Sequence, residues 1–374
     1  MELDPTKDLD GKYGYVDENE KWVIKPQFTY AGLFNEGFAE AMIEQYGNKR
    51  GIIREDGSWL FEPQFDSVER FSEGLAAVKV NGKWGYVRSD GTWAIEPQYD
   101  YTLWFSEGLA AVKVNGKYGY VREDGSWVIE PQYEEAGDFS EGLASVRLDG
   151  KDGYVRTDGT LAIEHQFDFG RAFHKGLADA KIGNKWGFIR TDGSWAIEPK
   201  FTTVELFNNH GLSIVKIGGK YGCVRTDGSW AIEPQFDSFR SFSEGLALIQ
   251  VGDKYGFIRP DGTFLFKPQF DKAYSFHVSD GGHAWVQVGR KWGLARTDGT
   301  WAFEPQFNDF TGFKYGICPV KVGRRWGYIR EDGTCAVKPQ FDKVFKFEGD
   351  SAEVVLKGEY KLLRRNPDDS FDVI

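Results

Sequence analysis

The chain has few of the residues from which common catalytic and metal sites are built. Three cysteines in 374 residues, Cys223, Cys318 and Cys335, are too scattered for a disulfide framework or a C-x-x-C zinc site. Cys223 and Cys335 stand inside repeated strands in place of other residues, which reads as buried free thiols. No stretch approaches the ~18 apolar residues of a membrane helix, so membrane insertion is not expected. No basic stripe is present and the formal net charge is −11, which argues against a nucleic-acid partner. The opening MELDPTKDLD is acidic and lacks an apolar run, so it does not read as a signal peptide. The cytoplasm is the expected location, with secretion or an envelope association the alternative for a truncated chain. There is no G-x-S-x-G, P-loop or H-E-x-x-H, and the expectation is no enzyme, no cofactor and no metal.

What is present is aromatic and repetitive. Hydrophobic residues make up 41% and aromatics 16%, with 46 glycines and no long Ala/Leu/Lys runs, a composition of strands and tight turns. A Trp-Gly or Tyr-Gly pair recurs, with its glycine at Gly14, Gly51, Gly85, Gly119, Gly153, Gly187, Gly222, Gly256, Gly293 and Gly327. The spacing is 34 to 37 residues, which makes ten copies. They start near 11, 48, 82, 116, 150, 184, 219, 253, 290 and 324, in a single array over 1–374. The tail 351–374 reads as an eleventh, degenerate copy that caps the array, with Tyr360-Lys361 where the aromatic-Gly pair should be.

One copy resolves into pieces. Leu75 to Val80 is a strand, Asn81-Gly82 a two-residue type I′ turn, and Trp84 to Arg88 a second strand. Asp90-Gly91 reads as another such turn, followed by a third strand from Trp93 to Glu96. Pro97 should end the ladder because it has no N–H, and Tyr99 to Gly108 is a connection. Each copy is therefore expected to be a three-stranded antiparallel meander. A two-residue loop at Asp90-Gly91 pairs Tyr86 with Ile95 and Val87 with Ala94. It puts Trp84, Tyr86, Arg88, Trp93 and Ile95 on one large face, with Gly85, Val87, Ala94 and Glu96 on the other. Gly85 would then leave room for a ring of the neighbouring copy. A lone meander is marginal, so each copy should complete its neighbour's core. The expected fold is all-β, ten to eleven meanders stacked as an open superhelical β-solenoid. A propeller-like ring is the alternative if Asp100 to Phe105 supplies a fourth strand.

These residues resemble the WG-repeat (KWG-repeat) family of bacterial proteins. The motif stands here as Lys83-Trp84-Gly85-Tyr86-Val87, Asp90-Gly91 and Pro97-Gln98-Tyr99, then Phe105-Ser106-Glu107-Gly108. The resemblance implies a β-repeat module and no shared reaction. Departures fall at Arg50 and Asp152, which lack the aromatic, and at His165, which replaces the proline.

The repeated polar residues read as structure. The Asp-Gly turns offer one carboxylate each, too few for calcium. An arginine column from Arg54 to Arg330 runs through nine copies, and a glutamate column from Glu62 to Glu304 through seven. Stacking of arginine on the facing Trp and pairing with acids of adjacent copies accounts for the first better than a basic ribbon does. Singular residues are more informative, because the scaffold does not require them. All five histidines, including His165, His174, His210, His277 and His283, fall at the end of the third strand or in a linker, as does Trp104, with Trp285 just beyond. Trp104, His174, His210, His277, His283 and Trp285 are the candidate binding residues on an edge of the stack, against neutral drift on exposed loops. A metal at His277 and His283 lacks further ligands. The expected function is a non-catalytic scaffold that binds a protein partner. Carbohydrate or cell-envelope glycan binding is the alternative, and it needs exposed aromatics.

Overall fold

The computed structural model describes residues 3–276 and 282–374. Among these residues it holds ten four-stranded antiparallel sheets and one three-stranded sheet at the N-terminal end. The only helix among them is a single 3-10 turn, Glu44–Tyr46, inside the longer loop that replaces the Asn-Gly turn of that copy. The chain divides into two compact units, Met1–Lys200 and Phe201–Ile374, and the repeat runs through both.

The three-stranded meander needs a correction. In the sheet over 67–99, strands Ser67–Ser72, Leu75–Val80, Lys83–Arg88 and Trp93–Tyr99 pair in that order. The fourth strand is the linker. It joins the copy that follows it, so each structural sheet begins before the sequence starts given above. In the next sheet that linker strand is Tyr101–Thr102, paired with Val112 and Lys113. The eleventh copy is a full sheet, ending in Phe371–Val373.

The two turns of a copy differ. Asn81 and Gly82 both have positive φ, 50° and 83°, and Val80 pairs with Lys83, the type I′ hairpin expected. At Asp90-Gly91 only the glycine is left-handed, φ 89°, and the Arg88 N–H bonds to the Thr92 carbonyl. This is a three-residue loop, in which the Asp90 carboxylate accepts the Thr92 N–H at 2.8 Å. The extra loop residue shifts the register. Tyr86 still faces Ile95, but Val87 faces Trp93. Trp93 accordingly lies on the side of Val87, not with Trp84 and Tyr86, and packs into the core shared with Phe65 of the preceding sheet.

Pro97 does not end the strand. Trp84 pairs with Tyr99 while Tyr86 pairs with Ile95, so the last strand carries a bulge at Glu96-Pro97-Gln98, where a missing N–H costs no ladder bond. That bulge explains Gly85. A methyl there would strike the Ile95 carbonyl oxygen and lie 2.7 Å from the Pro97 nitrogen. Gly85 makes room for its own strand, not for a neighbour's ring. The eleventh copy is the internal control. It has Lys361 in place of the glycine, and its last two strands pair without a register shift.

Stacking within each unit follows from the two faces. Tyr86, Ile95 and Tyr99 of one sheet close on Ala110, Val112 and Val121 of the next. Tyr99 meets Trp127 edge to face at 6.1 Å, and the same step recurs as Phe65 with Trp93 and Phe201 with Trp230.

Candidate binding edge

Most repeated polar groups are occupied by the framework itself. Arg88 donates to the Trp93 carbonyl at 2.7 Å, and Arg54, Arg190 and Arg225 do the same in their copies. The arginine column thus bonds to its own hairpin, and an acid of an adjacent copy is paired only at Arg330 with Asp369 among the described residues. Lys83 reaches Asp100 at 2.5 Å, and the other oxygen of Asp100 accepts the Asn115 N–H at 2.8 Å. The Tyr86 hydroxyl donates to the Leu103 carbonyl at 2.6 Å and fixes the linker.

The F-S-E-G stretch carries a second system that sequence reading missed. Glu73, Glu107 and Glu141 sit at φ 56°, a left-handed conformation unusual for glutamate. Each projects to the following copy. Glu73 accepts the N–H of Glu107 and Gly108 at 2.8 and 2.9 Å, and Glu141 accepts those of Lys175 and Gly176 at 2.5 and 2.7 Å. Ser72, Ser106 and Ser140 donate to the carbonyls of Phe105, Phe139 and Phe173, 33 residues on. The recurrence of serine and glutamate beside a left-handed glycine was the available signal.

Where the aromatic-Gly motif departs, charges or rings substitute. Asp152 is buried and paired with Arg147, Nε to Oδ1 at 2.7 Å and a second guanidinium nitrogen to Oδ2 at 3.0 Å. Arg50 pairs with Glu40. His165 replaces the proline in the copy whose Trp is replaced by Leu161. Its ring lies over Gly153 and 5.8 Å from Tyr133, the position a tryptophan fills elsewhere.

The candidate residues do not gather into one site. Trp104 is 51% exposed on the linker. His174 is exposed at the turn that pairs with Leu177. His210 is exposed, with its ring 6.1 Å from Phe242. His277 lies outside the described residues. The other two are not on an edge. His283 begins strand His283–Val288 and is 7% exposed, and Trp285 is 2% exposed and stacked on Phe310 at 3.9 Å. Their position in a strand whose first four residues are all buried, not the linker before them, sets that placement.

Around Trp104 the linkers of three consecutive copies converge. A cleft of about 190 Å³ is lined by Glu69, Trp84, Tyr101, Leu103, Trp104 and Asp138. Burial pushes the Asp138 carboxyl above the usual carboxylate range. Its charge adds to the effect of burial in raising the Tyr86 and Tyr120 hydroxyls. Neither Glu69 nor Asp138 has an ion-pair or hydrogen-bond partner among the described residues. No group of three or more His, Cys, Asp or Glu able to hold a metal occurs among them either.

The fold is thus that of an all-β repeat protein built from four-stranded antiparallel sheets after a three-stranded one at the N-terminal end. The family model described as WG containing repeat matches residues 13–46, 51–84, 84–118, 118–151, 153–186, 186–221, 221–255, 255–292, 292–325 and 326–360. The chain belongs to the WG-repeat family. No curated protein sequence matches it. Among solved structures it is similar to a eukaryotic initiation factor at 13% identity and a TM-score of 0.46, over 82% of this chain and 96% of that one. It is also similar to virginiamycin B lyase from Staphylococcus aureus at 13% identity and a TM-score of 0.30, over 63% of this chain and 92% of that one. At these scores neither likeness speaks to activity.

Proposed function

We propose that this WG-repeat array is a non-catalytic scaffold whose linker edge binds a protein partner. The observation that carries the reading is the division of labour between residues. Repeated side chains are used in turns, bulges and inter-sheet contacts, whereas exposed apolar residues such as Trp104, Leu33 and Leu206 occupy one corresponding linker position and serve no contact that the repeat requires. Exposed aromatic residues of this kind are common anchors of protein interfaces.

Glycan binding keeps one supporting observation, the exposed Tyr101 and Trp104 beside carboxylates. It is weakened by the packing of the repeated tryptophans between sheets. The test is affinity capture with the wild-type chain and with Trp104→Ala and Leu206→Ala, alongside a glycan array. Retention of a protein that either edge variant loses supports the scaffold. Failure to capture any protein, with saturable glycan binding that Trp104→Ala abolishes, would replace it with the second reading.

A further inference from the structure

The cleft at Trp104 has a chemistry specific enough to name an occupant. It lies where the repeat fails. The linker position of Trp104 holds Arg70 in the copy before and Asp138 in the copy after, and the preceding position holds Glu69, Leu103 and Gly137 in the same three copies. Stacking brings Glu69, Trp104 and Asp138 to one opening, with Trp84 and Tyr101 as its walls. The Trp84 and Tyr101 rings meet edge to face at 6.3 Å.

Three features limit what fits. The volume of about 190 Å³ is below the ~300 Å³ at which pockets for drug-sized ligands begin. It suits one long side chain. The walls are aromatic rings, whose faces attract cations. The framework already uses that attraction here, since the Lys79 ammonium lies 5.6 Å from the Trp84 ring centroid without lining the cleft. Finally, the two carboxylates at the rim have no cation of their own, in a chain where comparable linker acids such as Asp66, Asp100 and Asp168 are paired with lysines. Arg70 lines the neighbouring cleft beside Glu40 and not this one, whereas Glu69 borders both. Asp138 is partly desolvated, so a cation there would relieve a penalty the free protein carries.

We infer that the cleft formed by Trp84, Tyr101 and Trp104 between Glu69 and Asp138 takes an arginine or lysine side chain of a partner polypeptide. This rests on the protein-partner reading and adds the chemistry of the anchor. The side chain's stem lies against the rings and its charged head between the two carboxylates.

The test uses the full chain and two peptides, acetyl-Gly-Arg-Gly-amide and its neutral citrulline counterpart. The readout is the indole N–H signal of Trp104, identified by its loss in Trp104→Phe. The expected result is a saturable shift with the arginine peptide that weakens with added salt. Binding should fall about tenfold with citrulline, and about tenfold in the Glu69→Gln/Asp138→Asn double variant, the scale of two partly exposed ion pairs and a cation–π contact. Both substitutions keep shape and lie at the surface, so the fold is retained. No saturable shift, or equal binding of both peptides, would overturn the assignment. The same double variant is taken through affinity capture. Capture unaffected by it overturns this cleft as the anchor and leaves the partner reading standing. Charge-dependent peptide binding without any captured protein upholds the cleft chemistry and removes the partner reading instead.

Discussion

The carboxylate of Glu73 is bound to the backbone of Gly108, 35 residues away, accepting its N–H at 2.9 Å while also accepting that of Glu107. Glu107 passes the contact on to Gly142 at 2.9 Å. The left-handed backbone that each glutamate adopts is unfavourable in itself, and it is what aims the side chain at the next copy. At Lys175 an ammonium replaces the carboxylate, while the Lys175 N–H still bonds to Glu141 of the preceding copy.

Glu107→Ala should therefore cost more than Glu107→Gly. Alanine keeps the left-handed strain, of order 1 kcal/mol, and loses the contact to Gly142. Glycine loses the same contact but relieves the strain, so it should be within about 0.5 kcal/mol of wild type. A deficit of about 1–2 kcal/mol is expected for alanine in urea unfolding followed by tryptophan fluorescence. Equal stabilities of the two variants would show that the left-handed backbone carries no strain at this position, and an alanine variant as stable as wild type would show that the ladder contact contributes nothing.

Gly85→Ala should be among the most damaging single substitutions. Its methyl would meet backbone atoms of Ile95, Glu96 and Pro97, which cannot move aside as a side chain can. A loss of about 3 kcal/mol or more is expected. Gly82→Ala is the control. Its φ is 83° with open space around it, so only the left-handed backbone is penalised, at about 1 kcal/mol. Thermal melts of the two variants compare them directly.

Leu161 and His165 should behave as one exchange. In neighbouring copies a tryptophan meets the preceding ring edge on, as Trp195 meets Phe167 at 5.7 Å. With Leu161 in that place, the His165 ring fills the space against Tyr133, at the expense of a buried Nδ1 that has no hydrogen-bond partner. His165→Pro alone should open a cavity and cost about 1–3 kcal/mol. The pair Leu161→Trp/His165→Pro should recover that loss. A double-mutant cycle with coupling near zero would show that the two positions are independent.

Much of this framework was legible in the sequence, for a physical reason. Period-two patterning, Asn-Gly turns and a fixed spacing all constrain the same local geometry. The type I′ turn at Asn81-Gly82 and the Tyr86–Ile95 pair followed directly. What failed depended on one residue of register. Asp-Gly is compatible with both a two-residue and a three-residue loop, and the longer loop moved Trp93 to the opposite face. The role of Gly85 was misread for the same reason, since nothing local announces a bulge at Pro97 in the strand beside it. The edge was legible only in part. Trp104 stands out as a singular residue, but its neighbours Glu69 and Asp138 come from other copies, and only the stacking brings them to it.

The acidity profile should have a maximum, because two sets of carboxylates pull in opposite directions. Asp90, Asp124, Asp158 and Asp192 are held below the usual range by the Ser or Thr two residues on, through side-chain and backbone hydrogen bonds. Unfolded, they take up protons near pH ~4, before the folded chain does. Their stabilisation is complete above that value and is lost as pH falls through the lowered ones. Burial pushes Glu40, Asp138 and Asp179 the other way, although Arg50 and Arg171 counteract it at Glu40 and Asp179. For these the folded chain binds protons first, so stability rises as pH falls through their raised values toward pH ~4. Stability should increase modestly on acidification from neutrality and then collapse below about pH 4. Asp179, 1% exposed beside an Arg171 nitrogen at 3.0 Å, is the cleanest handle on the first limb. Asp179→Asn should flatten the rise, whereas Asp90→Asn, which can still accept the Thr92 N–H, should soften only the acid collapse. Urea midpoints measured from pH 3 to pH 7 separate the limbs, and a wild-type curve that falls steadily from neutrality would show that these three acids carry no desolvation penalty.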